Sequence, residues 1–488
     1  MTVSAFPLGD LSSVLDHLST ADPDGALVPC RITCIRLGRD QVGRVADEVS
    51  ALLGERAERP RVVLVVDATP IRRQGQDLKD LVEAQLRQRF DVHREVLADE
   101  HPVLHADEHA IDAASRAAAG ADAVVTIGGG TITDIGKLAS IAAGDIPLVV
   151  VQTAASVDGF TDNVSVILRS GVKRTVDSRW PDVVVADVET ISEAPASMNR
   201  AGFGEVTSMF TAPADWKLAA VLQVDTSFHR APTELLAAVG ADIDAWSPGV
   251  AAADVDAVER LTWALAVRGI ATGVSGSTAV LSGVEHLVSH MLDLHHSERG
   301  LPLGFHGAQV GAAAVVAAGA WELLFERLAN GPVTLWLPDV GEARARVEGA
   351  FGHLGDRIVD ECWRDYSRKL AVWSGRRAEI EAALASWSEH APGLRRLVRP
   401  SADIARQLRA AGAAARFVDL EPSVEDDLAR WAVANCALMR NRTTVVDLLT
   451  FLGSWEPDNV ERVLTAADSA AAGPDRQSAV PSVAGAGR

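Results

Sequence analysis

Over its first 195 residues the chain alternates short β-branched runs with helical patterns. "RVVLVVDATP" (61–70) is apolar without interruption, which predicts a strand buried on both faces that ends at Asp67 and a turn. "DLKDLVEAQLRQRF" (77–90) repeats its apolar residues at helical spacing, "HREVL" (93–97) reads as a short strand, and "DEHAIDAASRAAAGA" (107–121) as a helix. "DAVVTIGGG" (122–130) is a strand running into glycines, followed by the helix "TDIGKLASIAAG", the strand "IPLVVVQT" and, later, "DVVVADVETI". Strand–helix alternation with apolar strands predicts a parallel sheet covered on both faces. After residue 196 the patterns become long, Ala- and Leu-rich and helical, as in "DVDAVERLTWALAVRGIATG" and "RRAEIEAALASW". The expected fold is an α/β Rossmann-like domain (1–195), an all-α domain (196–469) and a small, Pro/Gly-rich tail (470–488) expected to be disordered.

Composition narrows the partners more than the fold. The 488 residues suit two or three domains, and 48% hydrophobic with 23% charged residues is ordinary for a globular chain. A net charge of -20 argues against wrapping nucleic acid or an anionic membrane, because phosphates would be repelled. A local basic pocket for one anionic metabolite stays open. Cys30, Cys34, Cys362 and Cys436 fit neither zinc-knuckle spacing nor a disulfide framework, so reduced thiols and a cytoplasmic location are expected. The first residues lack a basic region leading into an apolar run, and no apolar stretch is expected to insert in a membrane; "QVGAAAVVAAGAW" reads as core.

Candidate chemistry begins at "VVTIGGGTITDIGK" (124–137). Gly128, Gly129 and Gly130 sit where a buried strand turns into a helix, so backbone N–H groups can approach a phosphate at the helix's positive end. A plain tight turn explains the same glycines equally well. Asp134 and Lys137, in the first turns of that helix, join the candidate cofactor residues. Asp67, at a strand end, is placed either to hold a ribose hydroxyl, favouring NAD over NADP, or simply to make the turn. The loop after "IPLVVVQT" carries Thr153, Ser156, Asp158 and Gly159; such loops border the ligand crevice of an open α/β sheet, although Asp-Gly also forms turns by default. Five of the 13 histidines crowd "HLVSHMLDLHHSERGLPLGFH" (286–306), where His286 and His290 are four apart on one helix face, a spacing that can chelate a metal.

The series "GGGTITDIGK", "QTAASVDG", "VVVADVETISEAP", "AGFGEVTSMFTAPADWKL", "SGVEHLVSHMLD" and "FHGAQVG" resembles sn-glycerol-1-phosphate dehydrogenases, within the superfamily of glycerol dehydrogenases, iron-containing alcohol dehydrogenases and dehydroquinate synthases. The match runs from about residue 30 to 320, with a weaker fit to about 455. The resemblance implies NAD or NADP and one divalent metal, Zn²⁺ first with Ni²⁺ or Fe²⁺ as alternatives, held between the two domains. It assigns the metal to Glu205, His286 and His306, demotes His290 to a proton-relay or substrate residue, and sets Asp158 beside the nicotinamide. The implied reaction interconverts a small polyol and its ketone, with glycerol-1-phosphate and dihydroxyacetone phosphate as the leading pair. A homo-oligomer is expected. His295 and His296 lie in none of these motifs and are expected to be a solvated helix end.

Three departures shape the alternatives. Glu205 stands where the dehydrogenases carry Asp and dehydroquinate synthases carry Glu; Met209 stands in place of a usual Lys; and Asp162-Asn163 replaces a usual Ser-Pro. Glu205 favours a sugar-phosphate cyclase-like lyase that uses NAD transiently, and a diverged, non-catalytic binding protein is the third possibility. Lys173, Arg174 and Arg179 in "SGVKRTVDSRW" suit either a phosphate or a basic hairpin surface.

Overall fold

The computed structural model describes residues 6–55, 58–98, 104–169, 172–331 and 333–473. Its main sheet has six parallel strands in the order Cys34–Gly38, Val183–Asp187, Leu148–Gln152, Ala123–Gly128, Arg61–Asp67, Asp91–Leu97. Side chains alternate across it: Val63, Val65, Val124 and Val150 enter one apolar cluster, while Val62, Leu64, Val66, Val125 and Val151 enter the other. Both faces are therefore dry, which is why these strands read as continuous apolar runs. The strand Cys34–Gly38, absent from the sequence expectations, sits at one edge, and its mixed burial leaves no apolar run to read.

Strand order locates the crevice. From Arg61–Asp67 the chain moves to Asp91–Leu97 on one side, whereas from Ala123–Gly128 it moves to Leu148–Gln152 on the other. These two neighbours, paired Val62 to Ala123 and Val65 to Thr126, form the topological switch point, where ligands of open α/β sheets bind. Asp67 and Gly128 end the two strands side by side.

Helix limits follow local capping. Asp77 accepts hydrogen bonds from the N–H groups of Lys79 and Asp80, so it caps the helix Leu78–Arg87 instead of starting it. Asp107 caps Glu108–Ala118 in the same way. "DVVVADVETI" divides at Asp187, whose carboxylate accepts from Thr190 N and stops the strand by starting the helix Val188–Ser192. Residues 164–169 and 172–177 pair as an antiparallel hairpin. From Val188 onward all described elements are helices, and the last, Pro457–Ala472, includes the first three residues of the expected tail. The rest of that tail, from residue 474, lies outside the described residues.

The helix His306–Ala329 is long and apolar enough to cross a membrane, contrary to the expectation that no stretch would be. Its apolar window is 89% buried inside the fold, which accounts for its composition as core. All four cysteines are free.

Candidate metal centre and cofactor crevice

Three helices bring the candidate ligands together: Ala196–Val206 carries Glu205, Val284–Glu298 carries His286, and His306 opens His306–Ala329. The first and third touch backbone to backbone. A Cβ on Gly204 would lie 2.2 Å from the Gly307 carbonyl oxygen, and one on Gly307 would lie 2.2 Å from that of Ala201. Only glycine allows this approach, which seats Glu205 beside His306.

One ligand atom from each of Glu205, His286 and His306 lies within 4.8 Å of the others. Glu205 Oε1 is 3.1 Å from His286 Nε2, and Glu205 Oε2 is 3.9 Å from His306 Nε2. Glu205 is 2% exposed, and its Oε2 is buried with no hydrogen-bond partner. A buried carboxylate oxygen left unpaired is costly, and a cation between the three side chains would satisfy it. One carboxylate and two imidazoles is a donor set that suits Zn²⁺ or a related divalent ion, so the residues fit the expected metal.

Neighbouring groups orient the imidazoles. Glu285 Oε1 lies 3.1 Å from His286 Nδ1 and also accepts from Gly283 N, while Glu285 Oε2 accepts from the Thr211 hydroxyl. Ser289 donates to Gln309 Oε1 at 2.7 Å, so at 2.8 Å it accepts from His306 Nδ1–H and turns the Nε2 lone pair towards Glu205. Ser289→Ala should weaken metal binding by about 10- to 100-fold while sparing the fold, as measured by competition with a chromophoric chelator. Equal affinities would show that the tautomer is set elsewhere. Burial alone would raise the Glu205 pKa, but the charges of His286, His306 and Arg268 outweigh it and hold the carboxyl far below the usual range. Burial disfavours the His286 cation, yet Glu205 and Glu285 carry its pKa up to about 9. The His286 shift reflects the two carboxylates beside it, and the Glu205 shift reflects the cationic groups around that carboxylate.

His290 is not part of the three-residue cluster. It is half-buried, and its ring stacks on that of His306 with centroids 5.5 Å apart. His296, expected to be solvated, is instead buried at the last turn of its helix. His295 packs near Trp431 and His353, and burial with the adjacent Arg299 lowers its pKa to about 4. Neither belongs to the three-residue cluster, so histidine density in the sequence overstated the site.

On the cofactor side, Gly129 caps the helix Gly130–Ala142 with open space where a Cβ would be, and no acidic residue lies in its first turn. Gly130 packs against Val157, next to Asp158. Asp67 accepts from Lys79 Nζ at 2.8 Å and from the Thr69 hydroxyl, and Lys79, 2% exposed, also binds the Asp67 and Thr69 carbonyls. Lys79 thus fixes the Asp67 carboxylate, a role the sequence did not reveal. Thr153 and Ser156 are buried in the segment after Leu148–Gln152, where Ser156 packs on Gly202.

Lys137 and Asp134 differ from the expected cofactor contacts. Lys137 is fully buried, and its ammonium binds the Gly159 and Val164 carbonyls and Asp162, with Asp134 at 3.5 Å. Asp134 accepts from Val166 N, and burial raises its pKa to about 7 despite Lys137. Together they pin the loop that carries Asp158, and Asp162 is Lys137's partner within that network. Lys137→Met would strand Asp162 and Asp134 without their cation, which should cost about 3–5 kcal/mol in denaturant unfolding. A loss under about 1 kcal/mol would contradict the pinning role. In the basic hairpin, Arg174 pairs with Glu361 and Arg179 with Asp182 and Asp145, whereas the Lys173 side chain lies outside the described structure. Met209 is buried in the helical core.

Sequence reasoning also missed Arg268, on the helix Val255–Ser275. It is fully buried and contacts Glu205, Asp158 and Ser208. A path of direct contacts therefore runs from Gly130 through Val157 and Asp158 to Arg268 and Glu205.

Comparison with known proteins agrees with this geometry. Residues 42–195 match the family model for iron-containing alcohol dehydrogenases. A glycerol-1-phosphate dehydrogenase [NAD(P)+] of Pyrococcus furiosus is 35% identical over 238 residues, covering 49% of this chain and 66% of that protein. Its Bacillus subtilis namesake is 28% identical over 295 residues, covering 59% and 71%. The match thus spans about two thirds of these relatives' lengths. Among solved structures, glycerol dehydrogenase from Schizosaccharomyces pombe has a TM-score of 0.57 at 13% identity, covering 91% of each chain. A probable glycerol dehydrogenase from Sinorhizobium meliloti has 0.55 at 17%, covering 90% of this chain and 98% of its own. These two establish the shared fold. Taken together, residues 42–195 carry a domain of the iron-containing alcohol dehydrogenase family, and the chain is similar to glycerol-1-phosphate dehydrogenases over about half to two thirds of its length.

Proposed function

We propose that the chain is a metal-dependent NAD(P)(H) oxidoreductase that interconverts a small polyol and its ketone, with glycerol-1-phosphate and dihydroxyacetone phosphate as the first pair to test. The observation that carries this reading is the buried, partnerless Glu205 Oε2 facing His306, in a cluster completed by His286 and joined by direct contacts to the glycine turn at the switch point. Zn²⁺ is the preferred ion and NAD the preferred nucleotide, since Asp67 presents a carboxylate at the strand end where a ribose hydroxyl would bind.

When bound, the nicotinamide carries the hydride and the ion supplies Lewis-acid polarisation of the substrate oxygen. The chain's own residues do the rest. Glu205, His286 and His306 hold the ion, while Glu285 and Ser289 keep both imidazoles turned towards it. Asp158, its carboxylate held by Arg268, would border the nicotinamide side of the crevice. His290, on the partly exposed side of the cluster, passes the proton between substrate and solvent.

Metal-loaded protein should oxidise NADH in the presence of dihydroxyacetone phosphate or an unphosphorylated hydroxyketone, followed by absorbance with Zn²⁺, Ni²⁺ and Fe²⁺ in turn. Phosphate release from a sugar phosphate with no net change in NADH would replace this reading with the cyclase. Protein that takes up neither metal nor nucleotide would be a binding relative of the enzymes.

A further inference from the structure

Arg268 is a full positive charge with no exposed surface, placed where the two parts of the chain meet. Its Nη2 lies 2.9 Å from Glu205 Oε1 and 3.1 Å from Asp158 Oδ2, and its Nη1 donates to the Ser208 hydroxyl at 2.8 Å. Asp158 comes from the loop after a sheet strand, whereas Glu205 and Ser208 come from the helical half. The guanidinium's planar fork makes this possible, since one nitrogen serves two carboxylates while the other reaches a hydroxyl. The following residue, Gly269, is pressed onto the same loop: a Cβ there would lie 2.3 Å from Thr161 Oγ1 and 2.4 Å from the Asp158 carbonyl. The helix is therefore seated hard enough to hold Arg268 in place.

This contact divides the two oxygens of Glu205. Oε1 accepts from Arg268 Nη2 and lies 3.1 Å from His286 Nε2, while Oε2 receives no hydrogen bond and is the oxygen nearer His306. The extra methylene of Glu205 over Asp is about 1.5 Å of reach. That length lets Oε1 stay with Arg268 beside His286 while Oε2 faces His306.

We propose that Arg268 is a positioning residue that reserves Glu205 Oε1 and so presents Glu205 as a one-oxygen metal ligand, while tying Asp158 to it across the crevice. The inference rests on the metal reading of the Glu205–His286–His306 cluster. A second consequence follows from charge: a cation beside the ligand carboxylate opposes the divalent ion, so Arg268 also weakens metal affinity.

The test uses Arg268→Met and Arg268→Lys in the full chain, titrated with Zn²⁺ against a chelator and with Co²⁺ by visible absorption. Removing the charge should tighten Zn²⁺ binding by at least about tenfold. Freeing Oε1 for the ion should lower the Co²⁺ band intensity as an oxygen ligand is gained. Lysine keeps the charge but cannot span both carboxylates. Zn²⁺ affinity should then stay within about threefold of the unmodified protein, while the Co²⁺ spectrum still shifts. If Arg268→Met does not fold, the Arg268→Lys spectrum decides alone. Spectra and affinities that match the unmodified protein, with only a lower melting temperature, would reduce Arg268 to a structural ion pair and overturn the proposal. An unmodified protein that binds neither ion would instead overturn the metal reading beneath it.

Discussion

Glu205→Gln should lower metal affinity by more than about 100-fold and remove metal-dependent turnover, while the protein still melts cooperatively. Loss of an outer partner of a metal ligand typically costs 10- to 100-fold, and Glu205 is itself the only anionic member of its cluster. The amide also sets donors against donors. Arg268 Nη2 donates to Oε1, so the amide nitrogen must turn towards His306 and offer N–H groups where a lone pair is needed. Metal content after dialysis and chelator competition would measure the loss. Retained stoichiometric metal in Glu205→Gln would remove Glu205 from the ligand set. Glu205→Asp separates reach from charge, because the shorter carboxylate keeps its charge but retreats from Arg268 or from the imidazoles by about 1.5 Å. It should retain the ion with altered affinity, a milder outcome than the amide's.

The same residues show what could be read in the sequence. The buried strands were legible because both faces of the sheet are covered, which makes Val62 through Val66 one apolar run. Glu205, His286 and His306 were legible through short motifs held in order, although 81 residues separate Glu205 from His286. Histidine density alone misled: His296 belongs to the packed end of the same helix, and the i,i+4 partner His290 stacks beside the cluster without joining it. Arg268 and Lys137 were illegible for a shared reason. Each interrupts an apolar helical stretch, which signals a buried cation needing partners, but the partners lie on other elements. Lys137 reaches Asp162, 25 residues on, and Arg268 reaches back 63 residues to Glu205 and 110 to Asp158. No local spacing encodes such pairs, so the polar framework around the site emerges only from the fold.

The approach of the Glu205 and His306 helices carries the second large prediction. Gly307→Ala should destabilise the fold by at least about 1–3 kcal/mol, the range for an overpacked core, and should also weaken metal binding at least tenfold. The added methyl would lie 2.2 Å from the Ala201 carbonyl oxygen and 3.0 Å from Glu205 Cβ, and backbone cannot turn aside as a flexible side chain can. The helices must therefore separate, and the residues beside the contact are the proposed ligands themselves: Glu205 follows Gly204, and His306 precedes Gly307. Stability and metal affinity should fall together, since both depend on the same spacing. Gly349→Ala is the internal control. That glycine is exposed within the helix Val340–Phe351 with nothing near its Cβ position, so alanine there should stabilise by about 0.4–1 kcal/mol and leave metal affinity unchanged. Denaturant unfolding and chelator competition on both variants give the comparison. A Gly307→Ala protein that loses stability yet binds metal normally would show that the ligands are held independently of the crossing, and that the glycines serve packing alone.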